Sequence, residues 1–231
     1  VTKEVSAKGY RVTSQVAALS CGFHGAPLAV EAGRPWTQEL TRVHKWPAAM
    51  AVPDGNAVVV CDTTCGESPM APYHALIQKR LGLISMALGR AYLAFCPPEE
   101  RRLMMRHLEM SEHPDTPWMT SPGLVEHMIE VTQKTGFAER IGATTSDASS
   151  SVAVPIFELG SPNIVATIGL TYYSSAVRRE EILETYVPHL KEAAQVISES
   201  IARIKSSLNA QRARSAPKPG RAHAPALAEI H

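Results

Sequence analysis

The sequence predicts an α/β (α+β) domain built around an antiparallel sheet that is flanked by helices. Two observations carry this prediction. β-Branched apolar runs occur in pairs separated by short turn sequences, and the segments between the pairs have apolar residues at helical spacing. Short turns favour antiparallel pairing, and the interleaved helices can cover the faces of the sheet. With 231 residues, 45% of them hydrophobic, the chain can bury the core that this arrangement needs.

The first strand pair is predicted within 48–62. The apolar runs AAMAV and AVVVC flank an Asp-Gly-Asn turn at 54–56, and Asp-Gly supplies the positive φ angles of a tight hairpin. A second pair is predicted at 151–157 and 164–172, joined by a Gly-Ser-Pro-Asn turn. Because Pro155 has no amide donor, we expect its strand to be at a sheet edge or bulged at that point.

Two helices are predicted between these strand pairs. Residues 86–96 (MALGRAYLAFC) form the first, with Ser85 as its N-cap and a stop at the two prolines that follow. The second starts at Ser121-Pro122 and ends at Gly136. One apolar stripe of the second helix is expected to face the core: Leu124, Met128 and Val131.

The last helix is predicted over 178–207, with a kink at Pro188. Beyond about Ile204, large apolar residues become rare and prolines and cations become frequent, so residues 208–231 are predicted to form a disordered basic tail. Six apolar residues of the helix recur at helical spacing and are expected to be buried: Ile182, Tyr186, Leu190, Ile197, Ile201 and Ile204.

Charge and hydropathy argue against two classes of function. The chain has 23 Lys+Arg against 22 Asp+Glu and a formal net charge of +1, whereas nucleic-acid-binding domains usually carry a clear basic excess. No apolar stretch approaches the length of about 20 residues that a membrane span requires, and the N-terminus lacks the apolar core of a signal peptide. We therefore expect a cytoplasmic protein with no membrane partner.

The four cysteines are too few and too scattered for a disulfide framework. Cys61 and Cys65 supply only half of a tetrahedral zinc site, and no matching His or Cys pair follows. The sequence also has no GxSxG motif and no Gly-rich phosphate loop. We expect no catalytic residues, no metal and no cofactor, although a redox or nucleophilic thiol at Cys61, Cys65 or Cys96 stays open as an alternative.

A polar cluster, TTSDASSS at 144–151, leads directly into an apolar strand. It has two interpretations: a solvated loop, or alternate hydroxyls at a strand entrance that bind a small polar ligand. Ser85 also has two interpretations. It is explained by helix capping alone, but a helix N-terminus with free N–H groups and a positive dipole also suits a carboxylate.

Five segments, taken in order, resemble the effector-binding part of the IclR family of bacterial transcriptional regulators. They are GYRVT (9–13), SMALGRAYLAFCPPEER (85–101), TGFAER (135–140), SVAVPIF (151–157) and IVATIGLT (164–171). The resemblance spans about residues 9–205. Arg90 stands where lysine is usual in the family. The segment GRAYLAFCP is most similar to the MhpR-like branch, whose members control degradation of aromatic acids.

The resemblance implies a GAF-like or profilin-like domain over 26–207 whose sheet holds a ligand on its concave face. Residues 1–25 would be the remnant of a winged helix-turn-helix followed by a linker helix at Val12–His24. The family's pocket positions fall on Ser85 and Met86 at the helix start, on Asp147 and Ser149 in the polar loop, on Ser151, and on Gly169 and Thr171 of the last strand. Ser151 replaces a frequent Cys, and Gly169 and Thr171 replace two serines, so the identity of the ligand does not transfer.

The predicted function is that of a ligand-sensing domain for a small organic acid, aromatic acids included. The carboxylate of the acid would accept hydrogen bonds from backbone N–H groups near Ser85 and Met86. Apolar walls would come from Leu83, Val152, Val154 and Ile168. The expected partners are the effector and further copies in a homodimer or homotetramer, and DNA only through a helix-turn-helix domain missing from this chain. A thiol enzyme on a GAF-like fold and a ligand-free oligomerisation module are the alternatives.

Overall fold

The computed structural model of the chain describes residues 2–4, 9–11, 26–71, 76–110, 115, 118, 123–142 and 149–215. Some predictions fall outside these ranges: the linker helix at Val12–His24, the helix start at Ser121-Pro122, the contact at Asp147, and the tail from residue 216 onward. At the N-terminal end, strands β1 (Thr2–Glu4) and β2 (Gly9–Arg11) pair antiparallel with each other.

Six strands form one antiparallel sheet in the order β5-β4-β3-β8-β7-β6. The predicted fold class, an α/β domain around an antiparallel sheet, is thereby confirmed. The strands are β3 (Ala48–Asp54), β4 (Ala57–Thr63), β5 (Arg80–Gly82), β6 (Ala138–Arg140), β7 (Ser149–Phe157) and β8 (Ile164–Tyr173).

Helices cover both faces of this sheet. The helices are α1 (Ala26–His44), α2 (Ala87–Phe95), α3 (Pro98–Glu109), α4 (Leu124–Thr135), α5 (Arg179–Glu181) and α6 (Val187–Ser215). Helices α1 and α6 pack against one face and bury Met50, Ile168 and Ile197, while α2 lies on the opposite face. Within the described ranges, no helix combines the length and the apolar character that crossing a bilayer requires.

Both predicted hairpins are confirmed. Gly55 has a φ of 62° at the β3–β4 turn, the left-handed geometry for which the Asp-Gly pair was expected. Pro155 lies within β7, which has neighbours on both sides, but β6 pairs only with residues 151–153 of β7. Because β6 does not extend as far as Pro155, β7 is locally an edge strand there and loses no ladder bond to β6.

The apolar stripe predicted for the second helix is wrong in its orientation. Leu124 and Val131 are 42% and 45% exposed, and only Met128 is partly buried against the core. The residues that α4 buries are Val125 and Thr132, because the helix docks on α2 through the side next to the predicted stripe. The helix begins at Leu124, directly after a left-handed Gly123.

The last helix is confirmed in position but is longer and less regular than predicted. A π-helical turn, Ile182–Tyr186, connects α5 to α6, and Val187 donates its amide to the carbonyl of Ile182 five residues earlier. Pro188 follows this turn and has no amide to donate, so the widened turn takes the place of the predicted kink. Helix α6 continues through Ser215, into the segment predicted as a disordered tail, because Leu, Ala, Gln and Arg, which have good helix propensity, make up most of residues 208–215.

Helix α1 was not predicted from the sequence because it contains both Gly33 and Pro35, residues that usually interrupt helices. The glycine has a packing reason. A Cβ at Gly33 would overlap the Sδ atom of Met50 on β3, so the missing side chain allows α1 to approach the sheet closely.

Two histidines meet where α1 ends and α6 begins. Nε2 of His44 is 2.9 Å from Nδ1 of His189, and the His44 ring packs on Tyr186. Burial lowers the pKa of His44, as does the nearby His189, while Glu181 opposes them. The unfolded chain therefore binds a proton more readily than the folded chain does.

We accordingly expect the free energy of unfolding to be fully retained above about pH 6.5 and to decrease as the pH falls through the lowered pKa of His44. Urea unfolding at about pH 7.5 and about pH 5.5 measures this loss. It should be smaller in His44→Gln than in the wild type and unchanged in the exposed control His127→Gln. An equal loss in all three proteins would rule out His44 as its source.

Candidate functional site

Four of the predicted ligand contacts lie together on one face of the sheet. Between 152 and 156 of β7 and between 166 and 172 of β8, the even-numbered residues enter the core beneath α1 and α6. The alternation of a strand therefore turns the odd-numbered residues of these stretches toward α2. Ser151 is paired directly with Thr171, and Ser149 and Gly169 each lie two residues from one member of that pair. The structure thus brings Ser149, Ser151, Gly169 and Thr171 together.

Helix α2 lies across this face with its N-terminus toward the Ser151–Thr171 pair. At its C-terminal end the ring of Phe95 packs edge-on against Phe157, with 5.6 Å between centroids. Near its N-terminus Ala87 belongs to a cluster of small residues that includes Ala153 on β7. The helix therefore runs along β7 in the same direction as the strand, from the Ser151 end toward Phe157, and places Ser85 and Met86 at the same end of the sheet as the serines.

The close approach of α2 depends on small residues. A Cβ at Gly89 would overlap the carbonyl oxygen of Gly82 and lie 2.7 Å from the Cα of Leu83. Within the sheet itself, a Cβ at Gly169 would lie 2.5 Å from the carbonyl oxygen of Val152. Glycine at position 169, where the family resemblance led us to expect serine, therefore has a packing reason in this chain.

The most informative side chain at this place is Arg140, which sequence reasoning missed. Arg140 is opposite Ser151 on the neighbouring strand β6 and only 3% of its surface is exposed. Its Nη2 donates to Oγ of Ser149 at 2.8 Å, and its Nε donates to Oγ of Ser151 at 3.2 Å. We call Arg140, Ser149, Ser151, Gly169 and Thr171 the sheet-face site.

The charge of Arg140 is not neutralised by the described part of the chain. No acidic side chain there forms an ion pair with Arg140, and its buried Nη1 has no hydrogen-bond partner. Thr167 Oγ1 is also buried without a partner among the described residues, and Thr167 is another odd-numbered residue of β8. Buried polar groups are nearly always paired, so these two atoms mark this face of the sheet as a candidate site for a polar ligand.

The short strand that carries Arg140 explains why the sequence did not predict its role. Arg140 ends a strand of only three residues, and such a short segment gives no periodic signal. The available signal was its spacing from Ala138, which places both side chains on the same face of a strand. Ala138 packs in the small-residue cluster with Ala87, so Arg140 must face α2 as well.

The predicted use of Ser85 needs a correction. The N-cap of α2 is Met86, which makes no side-chain capping bond, so Ser85 is not the cap. The amides of Ile84 and Ser85 donate to the fully buried carboxylate of Asp115 at 2.8 and 3.0 Å. These donors were expected to bind the carboxylate of a ligand. The segment does favour a carboxylate, but the chain supplies one itself.

A second guanidinium lies close to the first. Nε of Arg90 donates to the carbonyl oxygen of Ile84 at 2.5 Å, and its Nη1 donates to that of Glu139 at 2.6 Å. Burial lowers the pKa of Arg90 and the positive charge of Arg140 lowers it further, whereas Asp115 raises it. The two cations therefore repel one another, and a bound anion would relieve part of that repulsion.

The predicted apolar walls are largely wrong. Val152, Val154 and Ile168 are even-numbered and lie in the core beneath α1 and α6, on the far face of the sheet from the sheet-face site. Only Leu83 lies on the α2 side. Apolar character alone does not tell on which face of the sheet a strand residue lies, because strand alternation assigns each residue to one face.

The described cysteines are free, and burial raises the pKa of each: that of Cys61 to about 12, that of Cys96 to about 11, and that of Cys65 above its ordinary value. A nucleophilic or redox-active thiol requires a lowered pKa and access to substrate. Nothing about these three thiols therefore favours the alternative of a thiol enzyme.

Comparison with known proteins identifies the fold and the family. The family model described as the C-terminal domain of the bacterial transcriptional regulator IclR matches residues 26–199. This stretch covers β3 to β8 and most of the helices around them, including every described residue of the sheet-face site.

Solved structures show the same architecture. The IclR protein of Thermotoga maritima is 22% identical, with a TM-score of 0.65 over 86% of this chain and 78% of that chain. The C-terminal domain of the E. coli regulator KdgR is 20% identical, with a TM-score of 0.61 over 75% and 98%. An IclR homologue from Microbacterium hydrocarbonoxydans, solved in complex with 4-hydroxybenzoate, is 18% identical, with a TM-score of 0.65 over 87% and 79%.

Proposed function

Because the chain belongs to the IclR family of bacterial transcriptional regulators, we propose that residues 26–207 sense a small organic acid whose carboxylate binds at the sheet-face site. The observation that carries this proposal is the buried Arg140, whose Nη1 has no partner among the described residues. The domain binds its effector without converting it chemically and acts in the cytoplasm.

The positive charge of Arg140 favours an anionic ligand. A buried guanidinium held only by hydroxyl groups keeps a desolvation cost that neutral partners do not offset. A carboxylate supplies the missing charge and accepts two parallel N–H bonds in the planar geometry that arginine offers. Ser151 and Thr171 lie in the same row of the sheet as Arg140, so their hydroxyls can bind the carboxylate or a polar substituent.

Other parts of the acid contact the elements around this charge. The N-terminal end of α2 at Met86 adds the positive end of a helix dipole, and Asp147, which follows β6 and precedes β7, is a proposed contact from the loop. A relative of the same fold holds 4-hydroxybenzoate, and the aromatic branch suggested by the sequence fits an acid of that kind.

An effector regulates only if it binds one arrangement of the protein more tightly than another. The N-terminus of α2 and the edge strand β6 both contact the proposed position of the carboxylate, so the effector favours the arrangement in which they lie closest together. A homodimer or homotetramer transmits this preference to paired helix-turn-helix domains on two operator half-sites.

The proposal is tested by thermal unfolding with small aliphatic and aromatic monocarboxylates, 4-hydroxybenzoate among them, each compared with its primary amide. Binding to the folded state raises the unfolding temperature according to the concentration and affinity of the ligand. We expect at least one acid to raise it and its amide to do so much less, because the amide lacks the charge that Arg140 requires. Equal shifts for acid and amide would contradict the proposal.

Replacement of Ser151 by valine exchanges the hydroxyl that receives Nε of Arg140 for two methyl groups. We expect the acid identified above to bind about tenfold more weakly, because a hydrogen bond to a charged group contributes about 1.5 to 3 kcal/mol. Calorimetry should show unchanged affinity for Ser207→Val, the same substitution at an exposed position of α6. Equal affinity in both variants would show that Ser151 does not take part.

A further inference from the structure

A cleft of about 370 Å³ lies on the outer side of β6, next to α4 and the start of α5. We call it the β6 cleft. Its lining joins apolar and aromatic walls to cations: Trp118, Met128, Phe137 and Ile141 with Arg90 and Arg179. This volume falls within the range of about 300 to 1,000 Å³ that is usual for small-molecule sites.

The β6 cleft is separate from the sheet-face site. Ala138 and Arg140 of β6 face α2, whereas Phe137, Glu139 and Ile141, which alternate with them, line the cleft. The edge strand β6 therefore lies between the sheet-face site and the β6 cleft. Arg90 lines the cleft as well, and its guanidinium bonds to the backbone of β6 at Glu139.

The charges of the cleft favour an anion. Arg179 forms an ion pair with Glu139 at 2.9 Å and these two charges cancel. Arg90 has carbonyl oxygens as its hydrogen-bond acceptors and forms no ion pair with an acid of the described ranges. The acidic and basic side chains of the lining therefore leave one positive charge, that of Arg90, whose guanidinium carbon lies 5.8 Å from the centre of the Trp118 ring. The carboxylate of Asp115, which lies outside the lining, offsets this charge in part.

The walls favour an aromatic group. Trp118 and Phe137 offer ring surfaces for stacking or edge contacts, and Met128 supplies a thioether that adapts to such surfaces. Ile141 and Val131 expose 59% and 45% of their surfaces, so apolar area that water now covers is available to a ligand. Burial of this apolar area and neutralisation of the charge of Arg90 both favour binding of an aromatic anion.

We propose that the β6 cleft is a second binding site, which takes an aromatic carboxylate independently of the sheet-face site. The ring lies among Trp118, Phe137 and Met128, and the carboxylate lies on the side of Arg90 and Arg179. Arg90 bonds to the backbone of both β6 and the segment before α2, and these two contacts fix the position of the cation in the cleft.

Fluorine NMR of the protein containing 5-fluorotryptophan gives a local readout, because the chain has three tryptophans and Trp118→Phe assigns the one in the cleft. The probe is benzoate, titrated to about 10 mM, which covers dissociation constants near 1 mM. We expect a saturable shift of the Trp118 resonance in the wild type. We expect the same shift in Arg140→Met, in which the sheet-face site lacks its cation.

Ile141→Glu introduces a negative charge at the cleft, which repels benzoate. We expect the benzoate concentration that gives half of the Trp118 shift to rise about tenfold or more. The matched control is Leu159→Glu, which changes a leucine of similar exposure, 51%, in the β7–β8 turn and should leave the response unchanged. No shift in the wild type, an undiminished shift in Ile141→Glu, or loss of the shift in Arg140→Met would each overturn the proposal. A Trp118 resonance that moves with protein concentration and not with benzoate would instead identify the cleft as a contact between copies of the chain.

Discussion

Replacement of Arg140 by methionine is expected to weaken binding of the organic acid by about 30-fold or more. Loss of one partner from a buried charge pair costs about 2 to 5 kcal/mol of binding free energy, and each 1.4 kcal/mol is a factor of ten. The folded protein should not suffer equally, because methionine fills the same space without an uncompensated charge. We expect its free energy of unfolding to lie within about 1 kcal/mol of the wild-type value, or above it.

This pair of results separates a ligand-binding arginine from a structural one. If Arg140 served only to join Ser149 to Ser151, its removal would lower stability and leave calorimetric affinity unchanged in the surviving folded protein. Arg106→Met, the same substitution at an exposed position of α3, should change neither quantity. Intact affinity in Arg140→Met would refute the assignment of its guanidinium as the anchor of the carboxylate.

The largest loss of stability is expected for Gly89→Ala. Although alanine is favoured over glycine inside a helix, a Cβ at this position would overlap the carbonyl oxygen of Gly82. Both groups are backbone, so neither can move aside without displacing α2 from β5. Overpacking of this kind costs about 1 to 3 kcal/mol, and we expect a loss near 3 kcal/mol in urea unfolding, with weaker binding because the N-terminus of α2 moves.

Gly66→Ala provides the control, since a Cβ at Gly66 would meet nothing within 4 Å. Its stability should be unchanged or slightly raised, because alanine restricts the unfolded chain. If Gly89→Ala proved as stable as Gly66→Ala, the close contact between α2 and β5 would not be required for folding.

The parts of the fold that local chemistry determines could be predicted from the sequence. The β3–β4 hairpin follows from an Asp-Gly turn between apolar runs, and the buried stripe of α6 follows from its isoleucine spacing. Helix α1 could not be predicted in the same way, because Gly33 is explained only by the position of Met50, which lies on another element.

The residues of the candidate site also differ in whether local sequence patterns could predict them. Ser151 and Thr171 were reached from hydroxyl spacing and from family resemblance, and strand register places them side by side. Asp115 and Arg140 were not reached, since their roles depend on contacts with residues far along the chain or across the sheet. The carboxylate that accepts hydrogen bonds from the amides of Ile84 and Ser85 belongs to a residue about 30 positions away. A local sequence pattern cannot predict such a contact.

The central claim, that an organic acid binds Arg140 on the α2 face of the sheet, is tested most directly by a crystal structure. The protein would be crystallised with the acid that gives the largest thermal shift. We expect a carboxylate oxygen within about 3 Å of Nη1 of Arg140, with Ser151 or Thr171 in contact with the same molecule. An acid bound elsewhere while Nη1 of Arg140 bonds to a group of the protein itself would contradict the account.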